Sequence, residues 1–352
     1  MTPAVLGLNS ALMCAVRGVF VYADGMAHMA PRMRGEEKVV REIKKAFASQ
    51  RSGSLRVGVG DDAALWRAER GEEVILTCDW FLEGAHFLRD KHPPDAVGWK
   101  SLARATSDVA AMGGTPKCFL LSLALPASCT DKWLRLFLRG LRRASRALRC
   151  QLAGGDTTRR DEILISTTVV GEVAAGRAML RSLARAGDLL YVSGTLGEAA
   201  LGLRELRRRR GVGNASSNSF LRKHLYPEPR IALGQWLAKN RLATATMDLS
   251  DGLSSDLPRL CSEGGVGARI SVASLPCMPR SDAKDALELA LNGGDDYELL
   301  FAVRPENVRK IGTKFHGLAL TRIGEITRDK RVVVEQDGRW RPLASGGWDP
   351  FR

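Results

Sequence analysis

Apolar positions recur along this chain at two spacings, and the spacing decides which element each stretch forms. In "GEEKVVREIKKAF" (35–47), Val39, Val40, Ile43 and Phe47 share one helical face. "DAVGWKSLARATSDVAAMGG" (95–114) predicts a second helix, with Val97, Leu102, Val109 and Met112 inward and a Gly-Gly stop. "WLRLFLRGLRRASRALR" (133–149) predicts a third. There Leu134, Phe137, Leu138, Leu141 and Leu148 fall at helical spacing and the arginines lie largely on other faces. Short β-prone runs predict strands at 55–60, 72–79, 116–126 (ended by Pro126) and 162–173. After a boundary near 173–185, "GDLLYVSG" (187–194) opens a second unit, followed by helices near 197–210 and at 229–240. "GVGNASSNS" (211–219), between those helices, reads as a polar, mobile loop. Residues 243–263 read as strand, turn and helix, 267–276 as strand, and 286–303 as helix, glycine turn and strand. Both halves mix strands with helices, so the class is α/β or α+β in two layered domains.

Composition narrows the setting. The chain has 352 residues, 45% hydrophobic and 26% charged, enough for a sizeable core without cross-links. Seven scattered cysteines form no CxxC pair, which excludes a zinc ribbon or disulfide framework and points to a reducing cytoplasm. Residues 1–34 read as a variable extension. Asn9 and Arg17 break their apolar stretch too often for a membrane span, and no basic segment precedes it as in a signal peptide. The net charge of +14 is mostly arginine, concentrated in 133–149 and in "LRELRRRRGVG" (203–213). Both runs read as solvated helix faces. Neither interleaves the aromatics of a single-strand nucleic-acid groove, so neither nucleic acid nor membrane is expected as a partner.

The acids carry the candidate chemistry. Asp61 and Asp62 follow a strand, Asp79 ends another, Asp108 sits in the second helix, and Asp156 follows two glycines. Asp248 and Asp251 frame "MDLSDG", and Asp295 and Asp296 follow two more glycines. Any one of them alone reads as a turn former or helix cap. Together, in a basic chain, such a set repels itself unless cations neutralise it. Short hard-oxygen ligands suit Mg²⁺, which bridges carboxylates to phosphates, so the pattern reads as a magnesium platform for a polyphosphate. The neighbouring glycines let backbone approach a bulky anion. No GxxxxGK[ST], HRD-type loop or DFG occurs, which excludes a P-loop enzyme and a protein kinase.

"GVGDDAAL", "TCDWFLEGAHF", "GWKSLARATSDVAAMGGTP", "GGDTTR", "MDLSDGLSSDL" and "GGDDYELLF" together resemble, in order, the motif set of the thiamine-monophosphate kinase family. The likeness spans roughly 35–352. The "GDD" and "SDG" elements recur in the wider AIR-synthetase and selenophosphate-synthetase superfamily, whereas "LEGAHF" with "GGDDYELLF" resembles this kinase. The resemblance implies an N-terminal mixed-sheet domain (35–172) that binds ATP and pairs in a homodimer, and a C-terminal α+β domain (173–352). It implies ATP-dependent phosphorylation of thiamine monophosphate to the diphosphate, with several Mg²⁺ ions.

By position, it implies magnesium ligands at Asp61, Asp62, Thr77, Cys78, Asp79, Asp108, Asp156, Asp248 and Asp251, with Asp108 and Asp156 central to catalysis. Gly155 and Asp156 match an ATP-binding turn, and Arg181 and Ser250 match nucleotide contacts. His86, Asp295 and Trp348 match groups that meet the thiamine substrate. Three features depart from the family. Cys78 stands where threonine is usual, Asp295 is one methylene shorter than the usual glutamate, and residues 1–34 match nothing in it. Two alternatives stay open at this level: another ATP-using superfamily member of selenophosphate-synthetase type, and a basic nucleic-acid-binding protein.

Overall fold

The computed structural model describes residues 36–47, 54–59, 63–208, 218–278 and 283–351. The extension at 1–34, Asp61 and Asp62, and most of the polar loop at 211–219 lie outside the described residues.

The first half builds a four-stranded sheet from β3 (Glu72–Leu82), β4 (Thr115–Leu125), β5 (Gln151–Arg159) and β6 (Leu164–Ala174), in the order β3-β6-β4-β5. β6 runs antiparallel to both β3 and β4, and β5 lies parallel to β4 on the edge. A separate pair of short strands, β1 (Leu55–Val57) and β2 (Leu65–Trp66), packs against it, with Leu55 on Cys118 and Ala153. Three helices accompany these strands: α1 (Glu36–Phe47), α2 (Pro94–Ala111) and α3 (Lys132–Ala147). Pro94 starts α2, where its missing N–H costs nothing. The inward rows of α2 and α3, including Leu102, Val109, Phe137 and Leu141, bury against Phe119, Leu121, Ile165 and Val169. Glycine lets the two helices touch. A Cβ on Gly98 would lie 2.1 Å from the Phe137 carbonyl oxygen, and one on Gly140 would lie 1.8 Å from that of Asp95. In α3, Arg135, Arg139 and Arg146 face solvent as the periodicity predicts.

The second half builds a larger sheet from seven main strands and one short partner. They are β7 (Leu189–Ser193), β8 (Ala243–Leu249), β9 (Gly267–Ser271), β10 (Glu298–Val303), β11 (Lys314–Phe315), β12 (Leu318–Thr327), β13 (Val332–Gln336) and β14 (Arg339–Pro342). The order is β14-β13-β9-β12-β7-β10-β8, with β11 paired to β12. Leu190, Val192, Met247 and Leu249 pack on α7 (Leu253–Gly264). Tyr191, Leu299 and Phe301 pack with Leu233 and Leu237 of α6 (Ile231–Lys239) and with Ala111 of α2. That shared cluster joins the two halves.

Three local expectations change. The strand expected over 267–276 stops at Ser271 and gives way to a 3₁₀ turn. The strand expected over 55–60 ends at Val57. A short helix, α5 (Ser219–Leu225), follows the polar loop, started by the Asn218 side chain, which accepts hydrogen bonds from the N–H groups of Phe220 and Leu221. The other helices are α4 (Glu198–Arg208), α8 (Ala283–Asn292) and the single turn α9 (Val308–Ile311). Among the described residues, no helix is long and apolar enough to cross a membrane.

Candidate active site

One cleft of about 1280 Å³ collects acids from distant parts of the chain: Asp79, Asp108, Asp248, Asp251 and Asp295 all line it. Each arrives on a different support. Asp79 lies on the edge strand β3, Asp108 on α2, Asp248 near the end of β8, and Asp251 and Asp295 in turns. Cys78, His86, Ser250 and Trp348 also line the cleft.

The turn after β8 is shaped by a side chain that motif reading passes over. Asp256, fully buried in the first turn of α7, accepts the backbone N–H groups of Ser250, Asp251 and Gly252 at 3.0–3.1 Å. Arg259 donates to both Asp251 and Asp256. The Trp348 N–H donates to the Asp251 carbonyl at 2.9 Å, which ties the C-terminal segment to the same turn. The Trp348 ring then sits 6.2 Å from that of His86, which sits 6.0 Å from Phe81. An aromatic end therefore adjoins the acidic one.

Electrostatics follow from burial. Burial pushes the Asp79 carboxyl up to about 6, opposed by the Arg104 charge. Asp108 is raised by burial, against a hydrogen bond from the Thr77 hydroxyl and the Arg181 and Arg104 charges. Asp248 is driven well above the usual range, by burial first and by Asp108 second. His86 is pushed down to about 4 by burial and by Arg104, so it is neutral near pH 7. Asp295 differs. Burial works to raise it, but Lys100, His224 and Arg104 together hold it below the usual carboxylate range.

The helix α2 supplies more of the site than its sequence suggests. Lys100, Arg104 and Asp108 are spaced four apart and form one stripe toward the cleft. Lys100 is only 1% exposed and donates to Asp295 Oδ2 at 2.8 Å. Arg104 lines the cleft beside Asp79 and Asp295. Periodicity from Asp108 back along the helix is the signal that finds both. Tyr297, with its hydroxyl donating to Asp295 Oδ1 at 2.8 Å, and His224 complete that network. The arginine run after 203 is also more than a solvated face, because Arg204, Arg207 and Arg208 line the cleft.

Four of the expected residues that fall within the described chain stand apart from the cleft lining. Thr77 is one, though it reaches the cleft through its bond to Asp108. Gly155 and Asp156 lie within β5, paired with Leu121 and Ser122, and do not form a turn. Only glycine fits at 155: its φ is +155°, and a Cβ there would lie 1.9 Å from the Leu121 carbonyl oxygen. Asp156 is exposed and accepts the N–H of Thr157. Arg181 sits in an exposed 3₁₀ turn and acts on Asp108 through its charge. Among the described residues, no three His, Cys, Asp or Glu side chains are grouped closely enough to hold a metal by themselves.

Comparison with known proteins agrees with this geometry. The chain matches the AIR synthase related protein family, its N-terminal domain over residues 60–173 and its C-terminal domain over 185–337. It is 35% identical to the thiamine-monophosphate kinase of Bacillus subtilis (strain 168), over 85% of this chain and 94% of that one. The crystal structure of the thiamine-monophosphate kinase from Stenotrophomonas maltophilia K279a superposes with a TM-score of 0.75 at 34% identity, covering 88% and 98% of the two chains. A structure of AaThiL complexed with AMPPCP and TMP superposes with a TM-score of 0.71 at 33% identity, covering 91% and 99%. With two AIR-synthase-type domains and this identity over most of its length, the chain belongs to the thiamine-monophosphate kinase family.

Proposed function

We propose that this protein catalyses ATP-dependent phosphorylation of thiamine monophosphate to thiamine diphosphate. The observation that carries the proposal is the convergence of Asp79, Asp108, Asp248, Asp251 and Asp295 on one cleft that ends in His86 and Trp348, in a chain of this family. In the reaction, an oxygen of the acceptor phosphate forms a bond to the γ-phosphorus of ATP. The bond from that phosphorus to the bridging oxygen breaks, and ADP leaves. The acceptor is already ionised near neutrality, so alignment and charge neutralisation do most of the catalytic work. Neutral His86 and the Trp348 ring flank the acceptor's aromatic part, with Asp295 beside them.

The donor set fits magnesium. Asp79, Asp108 and Asp248 are hard-oxygen ligands whose charged forms burial disfavours, and the Asp108 charge adds to this at Asp79 and Asp248. Asp251, Thr77 and the backbone carbonyl of Cys78, together with Asp61, Asp62 and Asp156, complete the proposed ligand set, with substrate phosphates and water supplying the remaining positions. Bound there, Mg²⁺ would neutralise phosphate charge. Asp108 and Asp156 are the proposed catalytic acids, and Gly155, Asp156, Arg181 and Ser250 the proposed nucleotide contacts.

We further propose a homodimer. On the sheet face opposite α2 and α3, Leu76 is 72% and Trp80 57% exposed, with Val74, Cys78 and Leu120 beside them. A run of apolar side chains on an open sheet face suits a second copy. The domain limits 35–172 and 173–352 are supported by the chain's passage from one sheet to the other between Ala174 and Leu189. A reducing, cytoplasmic setting is supported by the free state of the six described cysteines. The deciding assay supplies ATP, Mg²⁺ and thiamine monophosphate and follows product by chromatography. Thiamine diphosphate should form with equimolar ADP; ADP without diphosphate would reject the proposal.

A further inference from the structure

We propose, building on that functional reading, that Arg104 binds the phosphate of the acceptor substrate. The cations near the aromatic end of the cleft are not equivalent. Lys100 is enclosed and committed to Asp295 at 2.8 Å. Arg204 lines the cleft and is paired with Asp285 at 2.6 Å. Arg104 is 13% exposed and lines the cleft, yet its nearest acids lie at ion-pair distance only: Asp295 Oδ1 at 3.7 Å and Asp79 Oδ2 at 3.9 Å. Neither is a hydrogen bond, which needs about 2.7–3.2 Å. The Arg104 Nε–H is buried and has no hydrogen-bond partner.

The acids around Arg104 do not take up this donor. Both oxygens of Asp295 already accept, one from Lys100 and the other from Tyr297. A buried guanidinium N–H left without a partner costs about 1–3 kcal/mol, and two oxygens on one edge of a phosphate match the guanidinium fork. The position selects the acceptor over the nucleotide. Arg104 lies 5.3 Å over the Phe81 ring, in the Phe81, His86 and Trp348 cluster, while its charge also reaches Asp79 on the acidic side. An aromatic cation carrying one phosphate spans those two regions.

Calorimetry on the full chain without nucleotide tests the proposal, using thiamine monophosphate and thiamine as paired probes and AMPPCP as a third. Arg104→Met should weaken thiamine monophosphate binding about tenfold or more, the loss of one charge-assisted contact, and leave thiamine and AMPPCP within about twofold. Equal losses for both thiamines, no loss, or a loss confined to AMPPCP would overturn it. If circular dichroism shows Arg104→Met unfolded, Arg104→Lys takes its place, keeping the charge and removing the fork. Its preference for the phosphorylated probe should fall several-fold, and an unchanged preference overturns the proposal. The wild-type protein separates the two layers. No preference for thiamine monophosphate over thiamine sinks the functional reading itself; a preference that both variants keep sinks only the role of Arg104.

Discussion

At the scale of single residues, the site is a contest between burial and charge. Asp108 shows it most directly: burial disfavours its ionised form, while Thr77, Arg181 and Arg104 favour it. Asn has the same shape without the charge. Asp108→Asn should therefore lower kcat by about 100-fold or more, as expected for lost transition-state electrostatics. Its melting temperature should hold or rise, because a disfavoured buried acid has been replaced by a neutral amide. Steady-state kinetics alongside a thermal melt would check both halves, and near-normal turnover would remove Asp108 from the proposed metal platform. Several acids were legible as single letters because aspartate at a strand end or beside glycine stands out. Lys100 and Arg104 were less legible, since a basic residue inside a helix usually means a solvated face. Only the contacts to Asp295 and Asp79 show that these two turn inward.

At the scale of elements, periodicity located α2 and α3 to within a few residues, and their glycines fix how closely they cross. It missed α5, whose seven residues are too short for a pattern. That helix carries His224, whose Nε2 lies 3.0 Å from His92 Nε2. One ring nitrogen of this pair must accept, so at least one ring is neutral. Burial, with Lys100 next, pushes His92 down to about 4 and His224 well below its usual range. Both folded values lie below the unfolded value of about 6.5. The unfolded chain therefore binds more protons on acidification, and the pair's stabilisation, complete above about 6.5, is lost as pH falls toward 4. Buried acids with raised values, such as Asp79 at about 6, gain stability over the same interval, so the comparison carries the prediction: between pH 7 and 5 the melting temperature of His224→Leu should gain on that of the wild type. An equal slope in the variant would mean other groups dominate.

At the scale of the whole molecule, two sheets with separate cores meet through α2 and α6, and the cleft opens where both contribute side chains. The open face of the first sheet leaves Val74, Leu76, Trp80 and Leu120 exposed outside these cores. Burying one leucine side chain is worth about 1.5–3 kcal/mol, and a two-fold interface would count Leu76 twice. Leu76→Lys should shift the protein from dimer to monomer by light scattering at micromolar concentration. A wild-type monomer at all concentrations would refute the assembly.

The sequence by itself determined the two-layer class, the acid-rich motifs and most of the helices and strands up to residue 303, because these depend on spacing between near neighbours. Tertiary structure alone decided which distant acids share a cleft, that Gly155 and Asp156 lie in a strand, and that Lys100, Arg104, Tyr297 and His224 surround Asp295. The physical reason is range. Local spacing sets backbone conformation, whereas the neighbours of a buried charge are fixed only when segments nearly two hundred residues apart pack together.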